Sequence, residues 1–525
     1  MGRHARGDEG LHRPRLPPQV RLQVCQRYLL HLERAAHRAQ RAAYRHHGCP
    51  AHRHAAHVQQ SPDSILPQCD AAVLRLQPRA GVAVRLGQAE HPRAAVFVAA
   101  ARPRTRRAPV LDHTADVIVV GAGAAGLSSA LQLALRGQKV RVFDQGALAS
   151  GSTSRASGLL GQLRGTPEAT RALVESVRIL KELEARGGVK LYGQTGSLRV
   201  ANTPERAAEV RYHYKLGRAA GLDIELMEPA DAARIIPFMR TDDLLACCFC
   251  PTDGYLDPPN LAALYIRLAR EAGVEFHEHE PVEALLLPGG RAGGVRSAQG
   301  KYTAGVVLNA SGPWAKLVAE YADTPLPTLP IGHYYFTTAP HPAVSVPPET
   351  GTMRDRELRI YARPKDGGWR VGIYETAPEI FDMAQLPPAY MSTMTASKDH
   401  PSLRTLIENA AHRFPFIHLD TPMEIKGGIM SFTPDGHPLV GAFDAVPGLY
   451  HCTGFCGHGI MQSPVIGVMA AELILDGTCR FDLGRIEADR FTDFPELRDP
   501  AVVAERCKAT HWGYYGTIET GPAPV

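Results

Sequence analysis

The stretch GAGAAG (residues 121–126), with Asp144 standing 18 residues beyond its last glycine, is spaced to hold a dinucleotide. Gly121 permits a tight turn, Gly123 keeps the backbone bare where a pyrophosphate must approach, and Gly126 lets a helix lie close on a strand. Asp144 is placed to accept hydrogen bonds from a ribose hydroxyl. A second stretch, GSTSRASGLLGQLR (151–164), mixes small hydroxyl side chains with three glycines and two arginines and holds no carboxylate. Other reactive side chains lack a productive spacing. Cys247, Cys248 and Cys250 form C-C-x-C rather than the paired C-x-x-C of a zinc site and read as part of a strand. Cys452 and Cys456 sit four apart in a glycine-rich turn, which points to close backbone packing, and no metal site is expected. Asp435 and His437, among Pro434, Gly436 and Pro438, read as turn residues. No G-x-S-x-G stands on a strand-to-helix turn, which argues against a serine hydrolase.

The elements around these residues supply the context that the glycines need. ADVIVV is an apolar run of strand length ending on GAGAAG, LSSALQLALRG has helical spacing, and KVRVFD is a second strand ending in Asp144. The positive end of the first helix then faces the phosphates. The chain next leaves the nucleotide fold through a helical stretch at 169–188. It returns as a helix and strand at 265–276, strands at 281–287 and 302–314, and a strand, glycine-rich turn and apolar helix at 448–477. Pieces so widely separated suit a large bipartite cofactor such as FAD. The expected fold is α/β (α+β overall): a discontinuous Rossmann-like FAD-binding domain with an inserted antiparallel-sheet substrate domain. Residues 114–200, 250–325 and 425–480 are assigned to the first domain, and 201–249 and 326–424 to the second.

Length and charge agree with more than one core. The chain has 525 residues and a net charge of +5, but residues 1–113 alone hold 19 arginines, no lysine and 7 acids. That segment also carries 11 of the 23 histidines and no apolar period, so it reads as a disordered extension or an over-extended gene start. No nucleic-acid partner is expected from it. No stretch reads as a membrane span, AAVFVAAA (94–101) being far too short, and the scattered cysteines suit a reduced, cytoplasmic setting.

Read in order, GAGAAG with Asp144, GSTSRASGLLGQLR, DGYLDP (253–258), VVLNASGPWA (306–315), LPIGHYYFTT (329–338), IYARPKDGGWRVGIYE (360–375), SFTPDGHPLVG (431–441) and GFCGHGIMQSP (454–464) resemble the D-amino-acid-oxidase superfamily of FAD enzymes. More narrowly they resemble the flavin half of dimethylglycine and sarcosine dehydrogenases, and residues 490–516 within the 481–525 tail resemble the segment that follows it. The resemblance implies that FAD lies along Gly121, Gly123, Ala124, Ala125 and Gly126. It is also expected to touch Asp144 and Gln145, then Gly151, Ser152, Thr153, Arg155, Ala156, Ser157 and Gly158. Val282, Gly312 and Trp314 follow, and then Gly457, His458, Gly459, Ile460 and Met461. Two departures matter. Those dehydrogenases continue into a folate-binding domain, whereas this chain stops at Val525. Their covalent flavin attachment uses a histidine that aligns with Arg155, so FAD is expected to be bound non-covalently, with the loop's N–H and O–H groups donating to it.

Amine oxidation by a flavin needs a dry cavity, an anchor for the substrate carboxylate and groups that favour the neutral amine. Arg363 is the expected anchor, with Tyr361 two residues away on the same strand face. His333 and Tyr335 align with a His-x-Tyr pair that lies beside the substrate in the resembling enzymes. Backbone amides near His458 are expected to stabilise negative charge on the reduced flavin, and Met430, Met461 and Met469 read as core or cavity lining. The expected reaction oxidises the C–N bond of a secondary or tertiary amino acid to an imine that hydrolyses. A hydroxy-acid or polyol dehydrogenase, or a non-catalytic regulatory subunit, is the alternative. The electron acceptor is left open among oxygen, a quinone and an electron-transfer flavoprotein.

Overall fold

The apolar run at the fingerprint becomes the centre of a mostly parallel sheet. The protein is described by a computed structural model over residues 113–373, 375–481 and 486–513; the expected extension at 1–113 lies, but for His113, outside the described residues. Strand β1 (Thr114–Val120) pairs in parallel with β2 (Val140–Phe143) on one side and with the long strand β7 (Gly300–Asn309) on the other. Beyond these lie β6 (Glu275–His277) and β14 (Leu449–Thr453), also parallel, and the antiparallel β13 (Leu439–Ala442). An antiparallel pair at Ala284–Leu286 and Gly294–Ser297 extends from β7. Val117 to Val120 are buried on both faces, as a central parallel strand requires.

Helices α1 (Ala124–Leu135), α3 (Pro167–Gly187), α4 (Pro258–Glu271) and α7 (Gly459–Asp476) share one core against this sheet. α7 crosses α1 closely because Gly467 has no side chain: a Cβ there would stand 2.2 Å from Ser128 Oγ. Pro464 leaves the Ile460 carbonyl without its helical donor, and the Ser463 hydroxyl takes that carbonyl at 2.9 Å. At 18 residues and a mean hydropathy of 1.3, α7 is also long and apolar enough to span a membrane, which the sequence reading did not single out. Here it packs as a core helix against α1 and α3.

The second sheet is larger than its expected boundaries. Its order is β12 (Met423–Phe432), β8 (Leu329–Thr338), β11 (Gly368–Ile373), β10 (Ile360–Lys365), β9 (Thr352–Asp355), β3 (Ser197–Ala201), β5 (Ala246–Cys250) and β4 (Glu225–Met227). The assignments of 114–200 and 425–480 to the cofactor domain are therefore corrected at their ends, because β3 and most of β12 hydrogen-bond into this sheet. β3 pairs with β9 in parallel, so the sheet is not wholly antiparallel. Helix α6 (Pro401–Arg413) covers one face over a core of Trp369, Phe336, Phe414 and Met353. The other face, carrying Leu329, Ile331, Tyr361 and Phe432, is closed by the C-terminal helix α8 (Pro500–Gly513) through Val503 and Cys507. The tail at 481–525 thus contributes a helix to this sheet's core.

Candidate active site

A cavity of about 300 Å³ runs from the fingerprint to the second sheet, within the range of small-molecule sites. Every residue expected to touch the cofactor lines it except Gly126. Gly126 instead lies under the turn, where a Cβ would stand 2.0 Å from the Gly121 carbonyl oxygen, so its role is packing alone. Gly121 has φ +102°, and a Cβ there would collide with the Ala310 carbonyl. The Asp144 carboxylate accepts from Ala122 N and Gly146 N, both at 2.8 Å, one on each oxygen, which leaves lone pairs facing the cavity. Burial raises its pKa, and the two amides oppose that rise. Thr153 Oγ1 takes the Ala124 amide at 2.9 Å; the remaining first-turn N–H groups of α1 have no partner within the helix and open toward an anion. These features fit a dinucleotide such as FAD: bare glycine backbone, an unpaired helix start and a buried ribose-type carboxylate.

The loop at 151–164 behaves differently from expectation. Its first turn is the short helix α2 (Ser152–Arg155). Ser152 Oγ donates to the Ile429 carbonyl at 2.6 Å, and Ser154 Oγ bonds Ser150 and Gly151 carbonyls at 3.0 Å. The Ser152 and Ser154 hydroxyls are engaged by these backbone carbonyls and hold the loop to the protein. Arg155 reaches away across the second sheet. Its Nε donates to Gly427 O at 2.7 Å and its terminal nitrogens to Ser392 O and Met394 O, tying the loop to β12 and to helix α5 (Tyr390–Thr393).

At the second sheet the structure separates the expected catalytic residues. His333 and Tyr361 line the cavity; Tyr335 and Arg363 do not. Tyr335 sits two residues further along β8, is 2% exposed, and stacks beneath the Arg370 guanidinium at 4.9 Å. Arg363 is fully buried. It donates to the Ser157 and Pro364 carbonyls, pairs with Asp257 at 2.7 Å and lies 4.8 Å from the Tyr255 ring. Every arm of its guanidinium is committed, so it is a structural clasp and not the carboxylate anchor.

The guanidinium facing the cavity is that of Arg354, which sequence reasoning missed. Arg354 is the cross-strand partner of Tyr361 in the β9–β10 hairpin, so the two side chains stand beside each other on one face. Among the described residues Arg354 has no ion pair or hydrogen bond of its own. Tyr361 is fixed from the other side. Its hydroxyl lies 2.7 Å from His333 Nε2, and its ring rests on the bare Gly372 opposite it. His333 Nδ1 is 3.2 Å from Glu375 Oε2, while Glu375 Oε1 accepts from Tyr334 N at 2.8 Å. Burial pushes the Glu375 carboxyl up, but the His333 and His511 imidazoles outweigh it and hold it at about 2. An ionised Glu375 places the His333 proton on Nδ1, which leaves Nε2 to accept from the Tyr361 hydroxyl. The phenol oxygen therefore presents lone pairs to the cavity.

At the opposite end His458 precedes α7. Burial, then the Arg164 and Arg354 guanidiniums, hold its imidazole well below the ordinary value, so it is neutral. Met430 and Met461 line the cavity and Met469 is core. Asp435 and His437 form a turn closed by Arg490, which grips Asp435 with both arms at 2.9 Å. Cys247, Cys248 and Cys250 lie in β5, their thiols pushed up by burial.

The chain is similar to known proteins. The chain is 28% identical to the mitochondrial dimethylglycine dehydrogenase of Rattus norvegicus over 391 residues, 73% of this chain and 45% of that protein. It is 28% identical to the mitochondrial sarcosine dehydrogenase of Homo sapiens over 424 residues, 79% of this chain and 45% of that protein. The chain thus spans about half the length of these curated relatives. Among solved structures, L-proline dehydrogenase from P. horikoshii superposes with a TM-score of 0.65 at 25% identity, covering 72% of this chain and 98% of that one. Residues 116–473 match the family described as FAD dependent oxidoreductase, and the chain belongs to that family.

Proposed function

We propose that this protein oxidises the C–N bond of an N-substituted or cyclic α-amino acid. The observation that carries the reading is the pairing, on one cavity wall, of an uncommitted guanidinium with a phenol that is hydrogen-bonded to a buried imidazole–carboxylate pair. The relatives named for dimethylglycine, sarcosine and proline support the same substrate class. When bound, FAD would supply the two-electron acceptor for the hydride on the carbon beside nitrogen, and the resulting imine would be hydrolysed by water.

The chain's own residues prepare that step. Arg354 pairs with the substrate carboxylate in two parallel N–H···O bonds and fixes the orientation of the α-carbon. The Tyr361 oxygen accepts an ammonium proton while its own proton passes to His333 Nε2. Glu375, ionised beneath the ring, stabilises the resulting imidazolium. The amine is then neutral, with its lone pair free to assist loss of the hydride. His458 stays uncharged, and the amides at the start of α7 offer their partial positive charge to the cofactor. Gly121–Ala125, Asp144 and the 151–158 loop would hold FAD, and would hold it without a covalent bond since Arg155 occupies the position of the attachment histidine in the resembling dehydrogenases.

The test is anaerobic mixing of the FAD-loaded protein with a panel of N-methyl and cyclic amino acids beside the matching hydroxy acids. Bleaching of the flavin by an amine and by no hydroxy acid is expected. Bleaching by hydroxy acids alone, or a colourless protein that takes up no FAD, overturns the reading.

A further inference from the structure

The carboxylate beneath His333 has a second imidazole on it, and that imidazole comes from the far end of the chain. His511 lies in the last turn of α8 and is 1% exposed. Its Nε2 stands 3.6 Å from Glu375 Oε2, beyond hydrogen-bond length but close enough for an electrostatic contact with the same oxygen that His333 Nδ1 meets at 3.2 Å. Val503, Cys507 and His511 recur every four residues and form the buried stripe of α8. The first two enter the core shared by Leu329, Ile331, Tyr361 and Phe432, and His511 meets Phe432 edge-on at 5.1 Å. The helix is thus held by apolar packing, and its last turn delivers one polar side chain to one oxygen of a carboxylate that is itself almost fully buried.

We propose that His511 is a positioning residue of the oxidation site: it fixes the Glu375 carboxylate that holds His333 against Tyr361. The geometry makes a line, Tyr361 Oη to His333 to Glu375 to His511, running from cavity to C-terminal helix. Glu375 Oε1 is already taken by the Tyr334 amide, so the rotation of the carboxylate is set by what meets Oε2. With His333 alone on that oxygen, ring and carboxylate can tilt together, and the Tyr361 hydroxyl loses its fixed acceptor. With His511 present, Oε2 is met from two sides, by the His333 hydrogen bond and by the buried His511 imidazole at 3.6 Å. The C-terminal helix thereby acts on the proton path without touching substrate. The inference rests on the functional reading above, and its test separates the two.

Two variants of the FAD-loaded full chain decide it. His511→Gln keeps an N–H donor of similar reach, whereas His511→Asn is polar but too short to reach Glu375. A Tm and an FAD:protein ratio are recorded for each. The expected result is that His511→Asn slows the limiting rate of anaerobic flavin reduction about ten-fold. Its substrate Kd should change less than about two-fold, because Arg354 still holds the carboxylate. His511→Gln should recover most of the rate. In the double variant His511→Asn/His333→Asn the second change should add little to the effect of His333→Asn alone. A rate unchanged in His511→Asn with only a lower Tm shows a packing role and overturns the proposal, as does a Gln variant as slow as Asn. An activity-independent readout accompanies these: the ¹⁵N shifts of the His333 ring in histidine-labelled holoprotein should move in His511→Asn and return in His511→Gln. Unmoved shifts refute the positioning role even if no amine in the panel reduces the flavin, an outcome that would count against the functional reading alone.

Discussion

Replacing Gly372 by alanine tests how tightly the phenol must be placed. Gly372 lies opposite Tyr361 across the β10–β11 pair, and its backbone is ordinary strand that any residue adopts. An added Cβ would stand 2.1 Å from the Tyr361 hydroxyl oxygen and 2.2 Å from the carbon bearing it. Ordinary contact begins near 3.4 Å, so the hydroxyl must retreat by the difference, about 1.3 Å. The bond to His333 Nε2 is 2.7 Å long, and a displacement of that size removes it. A misplacement of about 1 Å at a reacting group costs on the order of 10²-fold in rate, and overpacking of this kind costs about 1–3 kcal/mol of stability. Stopped-flow reduction of the holoprotein by its best amine should therefore slow about 10²-fold, with FAD content unchanged. In a Tyr361→Phe background, where the hydroxyl is already gone, the same substitution should add little. A Gly372→Ala protein that reduces its flavin within about three-fold of the parent would refute the claim that the Tyr361 hydroxyl must sit where His333 holds it.

Arg354→Leu should weaken substrate binding about 10²-fold by removing a charge-assisted pair, read as Kd in the same experiment. Arg363→Met should lower Tm sharply and leave Kd for substrate near that of the parent, because Asp257 loses its buried partner while the cavity wall keeps its anchor. Acid precipitation should release the flavin to the supernatant; yellow colour staying with the pellet contradicts a non-covalent cofactor. His451 supplies a pH test of stability. Burial alone holds this imidazole at about 3, and the Asn309 amide donates to its Nδ1 at 3.2 Å. The unfolded chain takes up this proton as pH falls through about 6.5, whereas the folded chain does not until about 3. Stability is therefore lost progressively across that window, by on the order of 5 kcal/mol in all. His451→Phe should flatten the dependence of Tm on pH between 6.5 and 3.

The difference between Arg363 and Arg354 shows what sequence could and could not deliver. Local spacing was enough for the fingerprint: glycines, strand, helix and Asp144 all lie within one strand-helix-strand unit, β1–α1–β2. Alternation along β10 correctly put Tyr361 and Arg363 on one face, but a strand face is longer than a cavity. Two residues along, the same face lies under Tyr255 and against Asp257, and the guanidinium is consumed there. Which arginine faces the cavity is decided across the strand rather than along it. A hairpin joining Asp355 to Ile360 makes Arg354 the neighbour of Tyr361, and the signal available was that short turn between two runs of strand type. The ends of the cofactor domain failed for the same reason, since β3 and β12 choose their sheet by pairing with partners far away in sequence.

Glu375 and His511 fall inside stretches that carry the family resemblance, 360–375 and 490–516, but neither is singled out there. Nothing in the sequence near either residue marks it for chemistry; Glu375 is one strand away from His333, and His511 arrives only because α8 buries Val503 and Cys507 against the same sheet. An ionised carboxylate in an apolar core is stable only where polar groups converge on it, and here the Tyr334 amide and the His333 imidazole meet it from β8 while His511 approaches it from α8, two segments far apart in the chain. That convergence fixes the direction of every hydrogen bond above it, up to the lone pairs that Tyr361 turns into the cavity. The first sheet and its glycines position the cofactor by bare backbone, which is written locally. The second sheet positions Tyr361 and His333 by buried charge, which is written only in the fold. On the proposed mechanism, substitutions that leave the fingerprint intact abolish oxidation, and the C-terminal helix is where such a loss would be least expected from sequence.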